Sequence, residues 1–153
     1  MPLEYDFENS IGFWLISSAQ AYQRAVNDEL APQGITYRQC QVLCLLSLMG
    51  PSSQADLAQR MEIEPPTLVG ILDRMERDGW IRREASTDDR RRKMIHATKN
   101  AEPVWNRITA VARRVRTRST KGLTATQLDQ LKELLEVVRH NLDALHPLSE
   151  ASQ

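Results

Sequence analysis

A chain of 153 residues, 41% hydrophobic and 26% charged, has the size and make-up of one globular domain with room for a core. Its 20 basic and 20 acidic residues cancel, so the chain as a whole does not attract a polyanion; such a partner must be met by a local patch. The acidic start (Glu4, Asp6, Glu8) is unlike a secretory signal, and no apolar run approaches the ~18 residues that span a membrane. Two cysteines, Cys40 and Cys44, do not make a secreted disulfide framework, so the expected setting is the reducing cytoplasm, away from membranes.

In chain order, the first helix is expected from about Glu8 to Glu29. Phe7, Ile11, Trp14, Leu15, Ser18, Tyr22, Ala25 and Val26 recur at three- and four-residue steps. Ala31-Pro32-Gln33-Gly34 stops it. Thr36 caps a second helix carrying Val42, Leu43, Leu45 and Leu46, which ends at Gly50-Pro51. Ser52 or Ser53 caps a short third helix with Leu57, Ala58 and Met61 on one face. Pro65-Pro66 opens a fourth, where a first-turn proline loses no hydrogen bond. Its Leu68, Ile71, Leu72 and Met75 point inward, and Gly79 closes it.

Two strand-like runs follow, Trp80 to Glu84 and Met94 to Thr98, joined by Ser86 to Lys93 (STDDRRRK), which reads as a β-hairpin with a cationic tip. A long helix starts near Asn100, with Val104, Trp105, Ile108, Val111, Ala112 and Val115, and breaks at Gly122. It also carries a basic run: Arg107, Arg113, Arg114, Arg116 and Arg118, with Lys121 just after. Thr124 caps the last helix, with Gln127 at capping-box spacing. Leu128, Leu131, Leu135, Val138, Leu142 and Leu145 form a stripe that suits packing against a partner chain's helices.

Helix, turn, helix and basic hairpin are the layout of a winged helix-turn-helix, which points to duplex DNA. The fold class is mainly α with a small β-hairpin wing. The second helix of such a pair presents its early, outward residues to base edges. Here those are Pro65, Pro66, Thr67, Val69 and Gly70; Thr67 can hydrogen-bond a base, and Arg74 and Arg77 farther along suit phosphates. In the hairpin, Asp88 and Asp89 are expected to hold an arginine by a carboxylate–guanidinium pair. Arg90 or Arg91 is then the residue for the minor groove, and Arg92 and Lys93 meet phosphates or solvent. The full candidate DNA-binding set is Ser53, Gln54, Pro66, Thr67, Val69, Gly70, Arg74, Asp89, Arg90, Arg91 and Arg92. The rival reading is a winged-helix module that binds another protein and not DNA.

The run from Met61 to Pro103 resembles the MarR family and, within it, the SlyA-like branch. The resemblance rests on EPPTLVGILDRMERDGWI, on Asp89-Arg90-Arg91 followed by Thr98, and on Ala101-Glu102-Pro103. It implies one domain over 1–153, with a winged helix-turn-helix lobe at about 36–98 and dimerisation helices at about 8–31 and 100–146. It further implies a homodimer on palindromic promoter DNA, released by a small aromatic or phenolic effector. Two departures stand out: Gly70 replaces an arginine common in SlyA-like recognition helices, and Gln20 and Gln23, with Arg24 adjacent, stand where some relatives place ligand-binding arginines. The implied effector cleft would be lined by Trp14, Tyr22, Tyr37, Cys40 and Cys44, although aromatic residues at helical spacing are usually core.

Cys40 and Cys44, one helical turn apart, read as buried, inert thiols, since a disulfide would strain the helix. No motif for catalysis or for a cofactor is present. His96, His140 and His146 are scattered, and neither a phosphate loop nor a nucleophile elbow occurs.

Overall fold

The computed structural model describes residues 1 and 3–143; Leu145 and His146 therefore lie outside the described residues. The chain forms two compact units, Met1–Val115 and Arg116–Gln153. No helix among the described residues is long and apolar enough to cross a membrane.

The first unit begins with α1 (Ile11–Leu30), three residues later than the apolar spacing suggested. The Asp6 carboxylate accepts from both the backbone and the side chain of Asn9, at 3.2 and 2.6 Å, and holds Glu8–Asn9 in a turn. Ser10 then caps the helix by accepting from the Phe13 N–H. After a 3-10 turn at Ala31–Gln33, Thr36 and Gln39 exchange bonds of 3.1 and 2.9 Å, a full capping box that starts α2 (Tyr37–Met49).

Ser52–Ser53 is a strand, β1, which the sequence did not announce: two serines carry no strand signal, and they are strand only because Met94 and Ile95 of the hairpin pair with them. Ser53 also caps α3 (Gln54–Met61), accepting from the Asp56 N–H at 3.0 Å. The turn between α3 and α4 (Pro65–Arg77) is made by Glu62 in the left-handed region, φ 52°, a conformation that costs a non-glycine residue about 1–2 kcal/mol. Gly79, φ 76°, ends α4 where a side chain would be strained.

Strands β2 (Ile81–Ala85) and β3 (Lys93–Ala97) form the hairpin, pairing Ile81 with Ala97 and Arg83 with Ile95. The sheet order is β1-β3-β2, all antiparallel. Thr98 closes its root: its N–H donates to the Trp80 carbonyl at 2.9 Å and its hydroxyl to the Gly79 carbonyl at 2.5 Å. A 3-10 turn at Lys99–Ala101 leads into α5 (Glu102–Ser119).

The core gathers Val42 and Leu43 of α2, Leu57 of α3, Leu68, Leu72 and Met75 of α4, Ile81 and Ile95 of the hairpin, and Val104, Ile108, Val111 and Val115 of α5. Each such side chain, fully buried, contributes roughly 1.5–3 kcal/mol. The inward faces expected of α3 and α4 are the buried ones. In contrast, only Leu30 of α1 is buried, while Ile11, Trp14 and Tyr22 stay exposed.

The second unit turns at Gly122 and enters α6 (Ala125–Asp143) through the expected capping box, Thr124 and Gln127 exchanging bonds of 3.1 and 2.9 Å. No residue of α6 is buried, and Leu131, Leu134, Leu135 and Leu142 are 43% exposed or more.

Candidate nucleic-acid interface

Helix α4 is amphipathic: Leu68, Leu72 and Met75 are fully buried, so Pro66, Thr67, Val69, Gly70 and Arg74 on the other side are exposed. Its N-terminal turn carries prolines, leaving Thr67 the first residue there with a hydrogen-bonding side chain. A Cβ at Gly70 would meet nothing within 4 Å, so no steric demand of the fold accounts for that glycine.

Beside α4 stands the wing. Its tip is set by the backbone: Ser86 N–H donates to the Arg92 carbonyl at 2.8 Å, and Arg92 N–H to the Asp89 carbonyl at 2.9 Å. The Asp89 carboxylate accepts from the Arg91 backbone N–H at 2.9 Å. The expected pairing of Asp88 or Asp89 with a guanidinium does not form: Asp89 spends its carboxylate on the turn, a common use for aspartate in tight loops. Among the described residues Arg90 and Arg91 have no carboxylate partner and are exposed, free to meet phosphate.

Two other arginines are fixed. Arg92 turns back from the tip, its Nη2 2.9 Å from the Asp56 carboxylate and 3.1 Å from the Ser53 hydroxyl, tying the wing loop to the start of α3. It was expected at phosphates or in solvent; the nearby carboxylate on the first turn of α3 captures it. Arg83, on β2, reaches α4, with Nη2 2.7 Å from Asp73 and Nη1 2.5 Å from Glu76, while its backbone N–H donates to Glu76 at 3.1 Å. Its side chain is 13% exposed. Burial alone would lower its pKa; the bonds to Asp73 and Glu76 outweigh this and hold the guanidinium above its usual range.

Between α4 and the wing lies an open groove of about 890 Å³, with Gln54, Pro65, Val69, Arg91 and Lys93 among its walls. The structure thus brings Gln54, Pro66, Thr67, Val69, Gly70, Arg74, Asp89, Arg90 and Arg91 to the exposed surface of α3, α4 and the wing or to its edge. Two candidates stand apart: Ser53 is 1% exposed with its hydroxyl engaged by Asp56 and Arg92, and Arg92, though exposed, is held by Asp56. Arg83, Asp73, Glu76 and Asp56 were not singled out from the sequence. A signal existed: strand alternation puts Arg83 on the same face as Ile81, toward α4, where Asp73 and Glu76 lie three residues apart.

The residues expected to line an effector cleft do not all meet. Trp14 belongs to an exposed aromatic chain, Tyr5–Phe7–Phe13–Trp14, with successive ring centroids 4.8, 5.9 and 5.5 Å apart. Tyr22, Tyr37, Cys40 and Cys44 form a separate group: burial first, then Cys40, push the Tyr37 phenol upward, with smaller effects of Cys44 and Tyr22. Beside it is a polar depression of about 280 Å³ lined by Gln20, Gln23, Arg24, Asn27, Asp28 and Tyr37.

A helix-turn-helix whose wing carries free arginines beside the outward face of the second helix defines the class: a winged helix-turn-helix protein. Residues 35–93, from just before α2 to the start of β3, match the family model described as MarR family. Most of the chain is similar to solved structures of such proteins. It is 26% identical to a MarR-family transcriptional regulator from Rhodococcus sp. RHA1, covering 88% of this chain and 96% of that one, with a TM-score of 0.78. It is 26% identical to CouR from Rhodococcus jostii RHA1 bound to p-coumaroyl-CoA, covering 88% and 95%, with a TM-score of 0.73. It is 25% identical to a mutant MarR from E. coli complexed with operator DNA, covering 84% and 92%, with a TM-score of 0.73.

Proposed function

We propose that this protein is a transcriptional regulator of the SlyA-like branch that binds palindromic promoter DNA as a homodimer. The observation that carries the reading is an exposed α4 face, Pro66 to Arg74, beside a wing whose Arg90 and Arg91 are free, with Val69 and Arg91 both on the walls of the groove between them. Helix α4 enters the major groove, where Thr67 hydrogen-bonds a base edge and Val69 meets a thymine methyl. Arg74 contacts phosphate. The wing follows the backbone and places Arg90 or Arg91 in the adjacent minor groove, whose negative potential is strongest where A·T sequence narrows it. Regulation is steric: the bound dimer blocks polymerase or displaces another protein.

The homodimer reading is supported by apolar surface that a lone chain leaves in water. Ile11, Phe13, Trp14 and Ile16 of α1 are 43–66% exposed, and α6 exposes Leu131, Leu134, Leu135, Val137 and Leu142. Exposure on that scale marks an interaction surface, here a second copy of the chain. The likeness to CouR bound to p-coumaroyl-CoA supports a small aromatic effector, with Tyr22, Tyr37 and the depression beside them as its candidate place.

Selection of bound sequences from random duplex DNA tests the reading. The expected product is an inverted repeat with half-sites about one helical turn apart, near 34–36 Å. Recovery of no enriched sequence overturns it.

A further inference from the structure

Cys40 and Cys44 take no part in the DNA interface, yet they form the tightest cluster of soft donors in the chain. Both project from one face of α2, one turn apart, with sulfurs 3.9 Å from each other and one thiol donating to the other. Cys40 is 7% exposed as expected, but Cys44, expected to be buried too, lies a turn further along α2 and opens to solvent, so the pair has a buried side and an entry side.

The spacing is wrong for a disulfide and right for a bridged ion. Cβ atoms one helical turn apart sit about 5–6 Å from each other, whereas a disulfide requires about 3.8 Å. An interposed ion supplies the missing length. With metal–sulfur bonds of about 2.3 Å, sulfurs 3.9 Å apart subtend about 116° at a shared ion, near a trigonal angle.

The donor set selects the ion. Structural zinc takes four protein ligands, and among the described residues no cluster of three or more His, Cys, Asp or Glu exists. Two thiolates without imidazole or carboxylate match a soft, low-coordinate ion. We propose that Cys40 and Cys44 form a binding site for a soft monovalent d10 cation of the Cu(I) class, with the third position taken by water or an exogenous thiol. Two thiols bind one Cu(I) and release two protons; no electron is transferred. The thiol–thiol hydrogen bond favours the first deprotonation: it holds Cys44 down at about 7 and, with burial, pushes Cys40 upward. Formation of the dithiolate is then driven by the ion, as in other thiolate sites.

The test is anaerobic titration of the full chain with Cu(I) held by a coloured chelator. The result expected is withdrawal of one equivalent per chain, with a Cu(I)–thiolate absorption band. Cys40→Ala and Cys44→Ser should each weaken binding at least tenfold, with unchanged helical circular dichroism. The proposal is overturned if the wild type takes no more Cu(I) than the Cys40→Ala/Cys44→Ser double variant, or if either single variant retains wild-type affinity. Tighter uptake of Zn(II) than of Cu(I) at the same pair also overturns it.

Discussion

Replacing Arg83 by Met keeps most of the aliphatic stem and removes the charge that joins β2 to α4. Two charge-assisted bonds are lost, 2.7 Å to Asp73 and 2.5 Å to Glu76. Such bonds contribute about 1.5–3 kcal/mol each when fully desolvated. Asp73 and Glu76 are 61% and 41% exposed, so both rehydrate once the arginine is gone, which discounts the total to about 1–3 kcal/mol. Urea unfolding at fixed chain concentration measures it, since a dimer's apparent stability varies with concentration. The same change in a chain already carrying Asp73→Asn and Glu76→Gln should cost clearly less, and the difference is the coupling. The variant also leaves two uncompensated carboxylates on the groove, so DNA affinity should fall further than stability explains. A loss under about 0.5 kcal/mol, equal in both backgrounds, would refute the clamp.

Arg90→Ala or Arg91→Ala should weaken DNA binding by about 1–3 kcal/mol per half-site and leave major-groove base preference unchanged, because the wing reads width and potential. Thr67→Ala should relax base preference with little change in salt dependence; competition with single-base variants of the selected site separates the two. Leu135→Asp, placing a charge on the exposed stripe of α6, should abolish the homodimer, and sedimentation showing an unchanged dimer would remove that surface from the interface. Alkylation of Cys44 should rise with pH with a midpoint near 7, since only the thiolate reacts. Cys40→Ala removes the hydrogen bond and should move that midpoint up toward about 8.5, and identical midpoints in both proteins would contradict the pairing.

Helix ends written in local chemistry were legible in the sequence. Thr36 with Gln39 and Thr124 with Gln127 make the expected capping boxes, and the buried faces of α3 and α4 are those the periodicity gave. What stayed hidden depends on residues distant in the chain. Ser52–Ser53 is a strand because of β3, more than forty residues later. Arg92 belongs to Asp56 and Arg83 to α4. A run of cations in sequence looks uniform; tertiary contacts sort it into Arg92, pinned, and Arg90 and Arg91, free. The beginning of α1 was misplaced because Asp6 stabilises a turn where apolar spacing suggested helix.

The central claim is that the free cations of the wing and α4 meet DNA phosphates. Titrating a fluorescently labelled duplex, carrying the selected inverted repeat, at several salt concentrations tests it most directly. Six or more phosphate contacts per dimer predict an affinity that falls about 10³-fold or more between 50 and 200 mM salt. An affinity that stays flat over that range would contradict the account.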